Sequence, residues 1–313
     1  MLTQQQIDLF HSDGVIVVPD VLPMPVLSAV KQEYEALLDA LYDGWHAEGL
    51  VPAPGNMDFW QKLRVSYDAG CDWFQPMDIS LPGGEIAPDT PFHFGPAVFD
   101  MITAPRLLDL VECLIGPEIT SNPIQHVRLK PPAPTLRDTE NRAHVMATDW
   151  HQDRAVAHAE GDQTQMVTVW LAISDATEEN GCLQAIPGKP QMYPHCPKKQ
   201  TAIADGFLDL DKAQPLPVKA GGAVIFHPLT PHASLDNRSD RFRWSFDIRY
   251  NVTGQHTGRA HFPDFIARSR EAPQSELRDW CVWKTMWEEA RARLAPEPHI
   301  PIHRWTSDSP ACA

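Results

Sequence analysis

The 313-residue chain has six cysteines, Cys71, Cys113, Cys182, Cys196, Cys281 and Cys312, and no two stand at a CxxC spacing. Neither a disulfide framework nor a zinc–thiolate site is expected from such scatter, and a reduced, cytoplasmic setting follows. Basic charge is also in deficit: 26 Lys and Arg against 41 Asp and Glu leave a formal net charge of −15. That balance argues against nucleic acid or an anionic membrane surface as partner, since both require a basic footprint. No apolar run reaches the ~18 residues of a membrane span, and Met1 to Gln6 lack the basic and apolar regions of a secretory leader. Internal repeats are absent, as is the strand–helix alternation of parallel α/β folds.

What is present is a hydrophobic content of 43% and punctuation by 30 prolines. Thr3 to Gln6 fits a capping box, with Gly14 stopping the helix and Val15–Val18 forming a short buried strand. From Pro25, the spacing of Leu27, Val30, Tyr34, Leu37, Leu38 and Leu41 predicts a scaffold helix ending at Gly44. Residues 45–103 are rich in Pro, Gly and aromatics with weak periodicity, and read equally as a substrate-side cover or a packed excursion. A helix from Pro105 closes at Gly116. Strands are expected over 123–131, 164–173, 182–186 and 221–227, an irregular stretch after 251, and a final helix from Ser275 carrying Trp280, Trp283 and Trp287.

Helices first, then short strands, then a helix indicate a mostly β fold with flanking helices, a jelly roll or double-stranded β-helix of cupin-like form. We expect a single domain over 1–313. Its jelly-roll core spans about 120–252, with N-terminal helices and lid in 1–119 and a C-terminal extension in 253–313.

Two segments carry chemistry. In Trp150-His151-Gln152-Asp153, a His and an Asp two apart on a strand share one face. With one distant His they would form the 2-His-1-carboxylate set that holds non-haem Fe(II) with open positions. Arg243 follows His232 by eleven positions and lies in the alternating stretch Phe242-Arg243-Trp244-Ser245-Phe246-Asp247-Ile248-Arg249-Tyr250. Its aromatic face belongs in a core. Its polar face is either solvated, the usual case, or lines a site. His227 competes with His232 as ligand. His93, His126, His144, His158 and His195 read as ordinary histidines. The roles of His126, Arg128 and Lys130 stay open, and Arg249 is divided between a substrate anchor and a partner for Asp247.

The chain resembles the phytanoyl-CoA dioxygenase family of Fe(II)/2-oxoglutarate oxygenases from Leu2 to about Tyr250. The matching pieces, in order, are Lys130-Pro131-Pro132, Trp150-His151-Gln152-Asp153, Trp170, Glu179-Asn180-Gly181-Cys182-Leu183, Pro187-Gly188, Gly221-Gly222, His232-Ala233-Ser234, Asn237, Ser239 and Arg243. The resemblance implies His151, Asp153 and His232 as iron ligands and Arg243 as partner of the distal 2-oxoglutarate carboxylate. Ser234 and Trp170 would line the co-substrate pocket. Lys189-Pro190 departs from the Ser-His usual after Pro-Gly. The implied function is oxidation, by default hydroxylation, of a small-molecule metabolite, with 2-oxoglutarate and O₂ converted to succinate and CO₂ products. A non-catalytic binding protein and a metal-dependent hydrolase on the same fold are the alternatives. The partner is a small-molecule substrate, and the protein is expected to be a monomer or homodimer.

Overall fold

In a computed structural model, all residues are described except 139, 141, 143, 144, 198, 199, 205, 303 and 313. His144 therefore lies outside the described residues. The capping box forms at Thr3 and Gln6 and starts α1 (Gln4–Asp13), which ends on Gly14 in the left-handed region at φ 75°. Only glycine serves at that position, because a Cβ there would stand 2.2 Å from Thr230 Oγ1. The close approach lets Thr230 Oγ1 and the His227 amide both donate to the Gly14 carbonyl, tying α1 to the segment that carries His232.

After β1 (Val15–Val18), α2 (Met24–Ala47) buries Leu27, Val30, Tyr34, Leu38 and Tyr42. It continues past Gly44, where the sequence predicts a stop; one mid-helix glycine costs only about 1 kcal/mol and does not break a packed helix. Residues 45–103 hold more regular structure than their periodicity predicts: α3 (Phe59–Ala69), α4 (Phe74–Met77) and α5 (Pro96–Ile102). The start of α3 is a second capping box, Asp58 with Gln61. Phe59 stacks on Trp244 and Trp60 on Phe242, so much of this region is core. Then follow α6 (Pro105–Ile115), β2 (Glu118–Lys130), β3 (Met166–Ala172), β4 (Leu183–Ala185), β5 (His195–Pro197), β6 (Thr201–Ile203), β7 (Gln214–Leu216), β8 (Ala223–Phe226), β9 (His232–Ser234), β10 (Arg243–Val252) and β11 (Phe265–Ser269). The last strand falls in the stretch expected to be irregular. The final helix, α7 (Trp280–Leu294), starts at Trp280 and not at Ser275, where a 3₁₀ turn stands instead.

The strands form an antiparallel six-stranded sheet, β1-β8-β3-β10-β2-β11, faced by a three-stranded sheet, β7-β4-β9; β5 and β6 make a separate hairpin. This is the double-sheet jelly roll of the mostly β class, without a closed barrel. Helices cover the outer face of the large sheet, where Trp244, Phe246, Ile248 and Tyr250 join Tyr34, Leu38 and Trp283 in one core. The inner face receives Arg243, Ser245, Asp247 and Arg249, all buried. A β-strand with both faces covered must satisfy its charges internally, so the polar face of β10 is a site wall and not a solvated surface. No helix among the described residues is long and apolar enough to cross a membrane.

One expectation is corrected outright. Cys196 on β5 and Cys312 form a disulfide with Cα atoms 5.4 Å apart. The partners are 116 residues apart in sequence, and their proximity comes from tertiary packing that spacing does not encode. Cys71, Cys113, Cys182 and Cys281 are free.

Candidate metal and co-substrate site

His151 and His232 face each other across an isolated antiparallel bridge, exchanging backbone hydrogen bonds of 2.9 and 3.0 Å. Both rings point into the space between the sheets. The Nδ1 of His151 lies 2.8 Å from the Asp149 carbonyl and that of His232 3.0 Å from the Thr230 carbonyl. A carbonyl accepts only, so each Nδ1 carries a proton and Nε2 is the ring atom each histidine can offer a metal. Phe226 stacks on His232 with ring centroids 4.4 Å apart and fixes its plane.

Asp153 does not extend a strand from His151, as the two-residue spacing predicts; it opens a 3₁₀ turn, Asp153–Val156. The turn still aims its carboxylate at the histidines. One ligand atom from each of His151, Asp153 and His232 lies within 4.8 Å of the others. Gln152, between them, is pinned: its side chain donates to the carbonyls of Gln191 and Leu229, its Oε1 accepts from the Tyr193 amide, and its own amide donates to His195 Nε2. His195 reads as an ordinary histidine in the sequence, yet it orients the turn between two members of the cluster. Only the β5–β6 hairpin's position reveals this.

The electrostatics suit a cation. Burial and the nearby His232 push the His151 imidazole down to about 3, so it is neutral at physiological pH. Burial opposes ionisation of Asp153, but the Arg249 guanidinium and the two imidazoles outweigh it and hold the carboxyl well below the usual range. Arg249 pairs with Oδ1 of Asp153 and donates to the Ile124 carbonyl. Asp153 Oδ2 has no hydrogen-bond partner. Two imidazole lone pairs and a buried, unshared carboxylate oxygen fit one divalent ion of the Fe(II) type.

Arg243, at the start of β10, is fully buried. It donates to Ser245 Oγ at 2.9 Å and lies over Trp170 at 5.0 Å, while its Nε has no partner. No carboxylate among the described residues pairs with it, and burial lowers its guanidinium to about 10. Lys130 stands beside it, bonded to Ser234 Oγ and Thr148 Oγ1, its ammonium pushed well down by burial and then by Arg243 and Arg128. A buried guanidinium lacking an acid, with the Lys130 amine beside it as a further donor, fits an incoming carboxylate, as a 2-oxoacid dicarboxylate would supply. Trp170, His232, Arg243 and Lys130 line one inner cavity with the cluster.

Of the residues left open by the sequence, Arg128 pairs with Asp247, and His126 Nδ1 lies 2.8 Å from Asp78 Oδ2. His227 stays outside the cluster, with its Nδ1 accepting from the Leu229 amide. His93 meets Glu33, and His158 the Pro301 carbonyl. A second cavity of about 430 Å³ adjoins the first; Arg128, Thr148, His151 and Arg249 border both.

The family model for phytanoyl-CoA dioxygenase matches residues 10–245. A probable phytanoyl-CoA dioxygenase of Caenorhabditis elegans is 24% identical over 263 residues, 80% of this chain and 75% of that one. The peroxisomal phytanoyl-CoA dioxygenase of Bos taurus is 28% identical over 220 residues, 64% of this chain, which spans only 60% of its length. Among solved structures, the apo non-haem monooxygenase ThoJ is similar with TM-score 0.59 and 18% identity, covering 94% of this chain and 100% of its own. The epimerase SnoN, solved with Fe3+, α-ketoglutarate and a nogalamycin ligand, has TM-score 0.52 and 18% identity, covering 82% and 87%. At these identities the structures show the fold, whereas the sequence model spans most of the chain: it belongs to the phytanoyl-CoA dioxygenase family of Fe(II)/2-oxoglutarate-dependent oxygenases.

Proposed function

We propose that the protein oxidises a small organic molecule with Fe(II) held by His151, Asp153 and His232, and with 2-oxoglutarate anchored by Arg243. The observation that carries this reading is the buried His–Asp–His cluster facing an arginine with no acid of its own. When bound, iron with 2-oxoglutarate and O₂ supplies oxidising power as 2-oxoglutarate is cleaved to succinate and CO₂. The protein's part is placement. The two imidazoles, held by their Nδ1 atoms on backbone carbonyls, offer Nε2 to the metal, and Arg249 occupies Asp153 Oδ1 so that Oδ2 stays free. Lys130 and Ser234 stand with Arg243 to receive the distal carboxylate, and Trp170 closes the wall behind it. The larger cavity brings substrate alongside His151.

Hydroxylation is the outcome we assign, supported by the presence of Asp153, since a halide needs that carboxylate's place. The fold alone does not choose it, because a monooxygenase and an epimerase share the architecture. A zinc hydrolase would leave Arg243 and Lys130 without a task. With Cys196 and Cys312 joined, cysteine usage no longer argues for a reducing compartment.

The test is anaerobic titration of metal-free protein with Fe(II) and 2-oxoglutarate, followed by the visible metal-to-ligand charge-transfer band. The band should appear in the wild type and vanish in Asp153→Ala, which should also release no succinate above background. A folded Asp153→Ala protein with the band intact would remove Asp153 from the ligand set.

A further inference from the structure

The larger cavity contains a cation that the iron and co-substrate do not use. Arg259, between β10 and β11, lines this cavity and is only 4% exposed. Its Nη2 donates to the carbonyls of Val156 and Ile302 at 2.5 and 2.9 Å, and its Nε has no partner. The other arginines bordering the cavity each have an acid: Arg128 has Asp247, Arg142 has Glu140 and Asp72, and Arg249 has Asp153. Among the described residues no carboxylate pairs with Arg259. Burial, and after it the charge of Arg249, lower its guanidinium to about 10.

Holding two carbonyls explains why a donor stands there, but not why it is charged. A neutral side chain would serve two carbonyls, whereas a buried guanidinium without a counter-ion carries an uncompensated desolvation penalty. Arg243 is likewise a buried guanidinium that lines a cavity and has no acid among the described residues; an unpartnered Nε accompanies both, as it does the acid-paired Arg249. The apolar side chains of Phe74, Leu81, Ile124, Val156 and Ile302 line the same cavity. A volume of about 430 Å³ is in the range that encloses a small molecule.

We propose that Arg259 receives a carboxylate of the substrate, so that the substrate is a small monocarboxylic acid with an apolar body. One uncompensated positive charge matches a monoanion; a phosphate ester dianion would require a second. The acid group, fixed at Arg259, leaves the apolar part of the molecule to lie along the cavity toward His151, and Arg259 thereby decides which carbon is presented. This assignment rests on the oxygenase reading above, and the test separates the two.

Full-length protein loaded with Fe(II) and 2-oxoglutarate and kept anaerobic is titrated calorimetrically with octanoate and with its neutral isostere octanamide, and in a further arm with octyl phosphate. Wild type should favour octanoate over octanamide by about tenfold or more, the worth of one charged hydrogen-bonded pair. Arg259→Gln should lose that preference, and Arg259→Lys should keep part of it, which a purely structural loss would not do. The charge-transfer band reports folding and loading in every variant, and its absence from wild type would sink the oxygenase reading whatever octanoate does. With the band present, equal or undetectable binding of octanoate and octanamide overturns the proposal, as does a preference that survives in Arg259→Gln. Tighter binding of octyl phosphate than octanoate overturns the carboxylate assignment.

Discussion

Replacing Arg243 with Met separates a ligand-anchoring arginine from a structural one by the sign of two effects. Met keeps most of the volume and contact with Trp170 but removes the charge. The depression of the guanidinium to about 10 from 12.5 corresponds to roughly 3 kcal/mol by which burial disfavours the cation. Losing the cation–π contact with Trp170 costs about 1–2 kcal/mol, and losing the bond to Ser245 costs about 1 kcal/mol. These nearly cancel, so the stability of the metal-free protein should change by no more than about 1 kcal/mol. The affinity for 2-oxoglutarate, by contrast, should fall by about 2–5 kcal/mol, or roughly thirtyfold to several thousandfold, the loss expected on truncating a buried charge pair. Urea unfolding of the metal-free variant gives the first quantity, and titration of 2-oxoglutarate into Fe(II)-loaded protein gives the second. A structural arginine behaves oppositely: breaking a buried pair destabilises by about 3–5 kcal/mol. A variant that unfolds several kcal/mol more easily, or that binds 2-oxoglutarate as wild type does, would refute the reasoning.

Arg249→Gln should weaken Fe(II) binding by about ten- to a hundredfold, because Asp153 loses the partner that orients and ionises it; Arg249→Lys should restore part of it in the same metal titration, and equal affinities in all three proteins would contradict the role. Acidification should destabilise the metal-free protein. Burial holds His195 and His227 down at about 4, so between 6.5 and about 4 the unfolded chain binds protons that the native one does not. The stability they contribute is complete above 6.5 and lost as pH falls toward 4, by up to about 3 kcal/mol for each. Urea midpoints at pH 7.5 and 4.5 check the sign, and a midpoint that rises on acidification would exclude it.

The sequence by itself determined the class of the fold and marked His151, Asp153 and His232, the three that meet in one cluster. Alternation along Arg243–Tyr250 encodes a strand with an aromatic and a charged face, because side chains alternate regardless of context. Capping residues mark α1, whereas the equivalent pair at Asp58 and Gln61 is masked by the weakly periodic, aromatic-rich stretch around it. Tertiary structure decided the rest. Whether the charged face of β10 met water or a second sheet depended on β9 and β4 lying over it. Arg249 pairs with Asp153, while Asp247 takes Arg128 from the neighbouring strand β2, whose register against β10 shifts between Asp247 and Arg249. Asp153 reaches the histidines from a 3₁₀ turn, Cys196 finds Cys312 across 116 residues, and Arg259 is left without an acid. Local periodicity records how a residue sits on its own element; which charge meets which is set by register and sheet packing between distant segments, and no local pattern stores that.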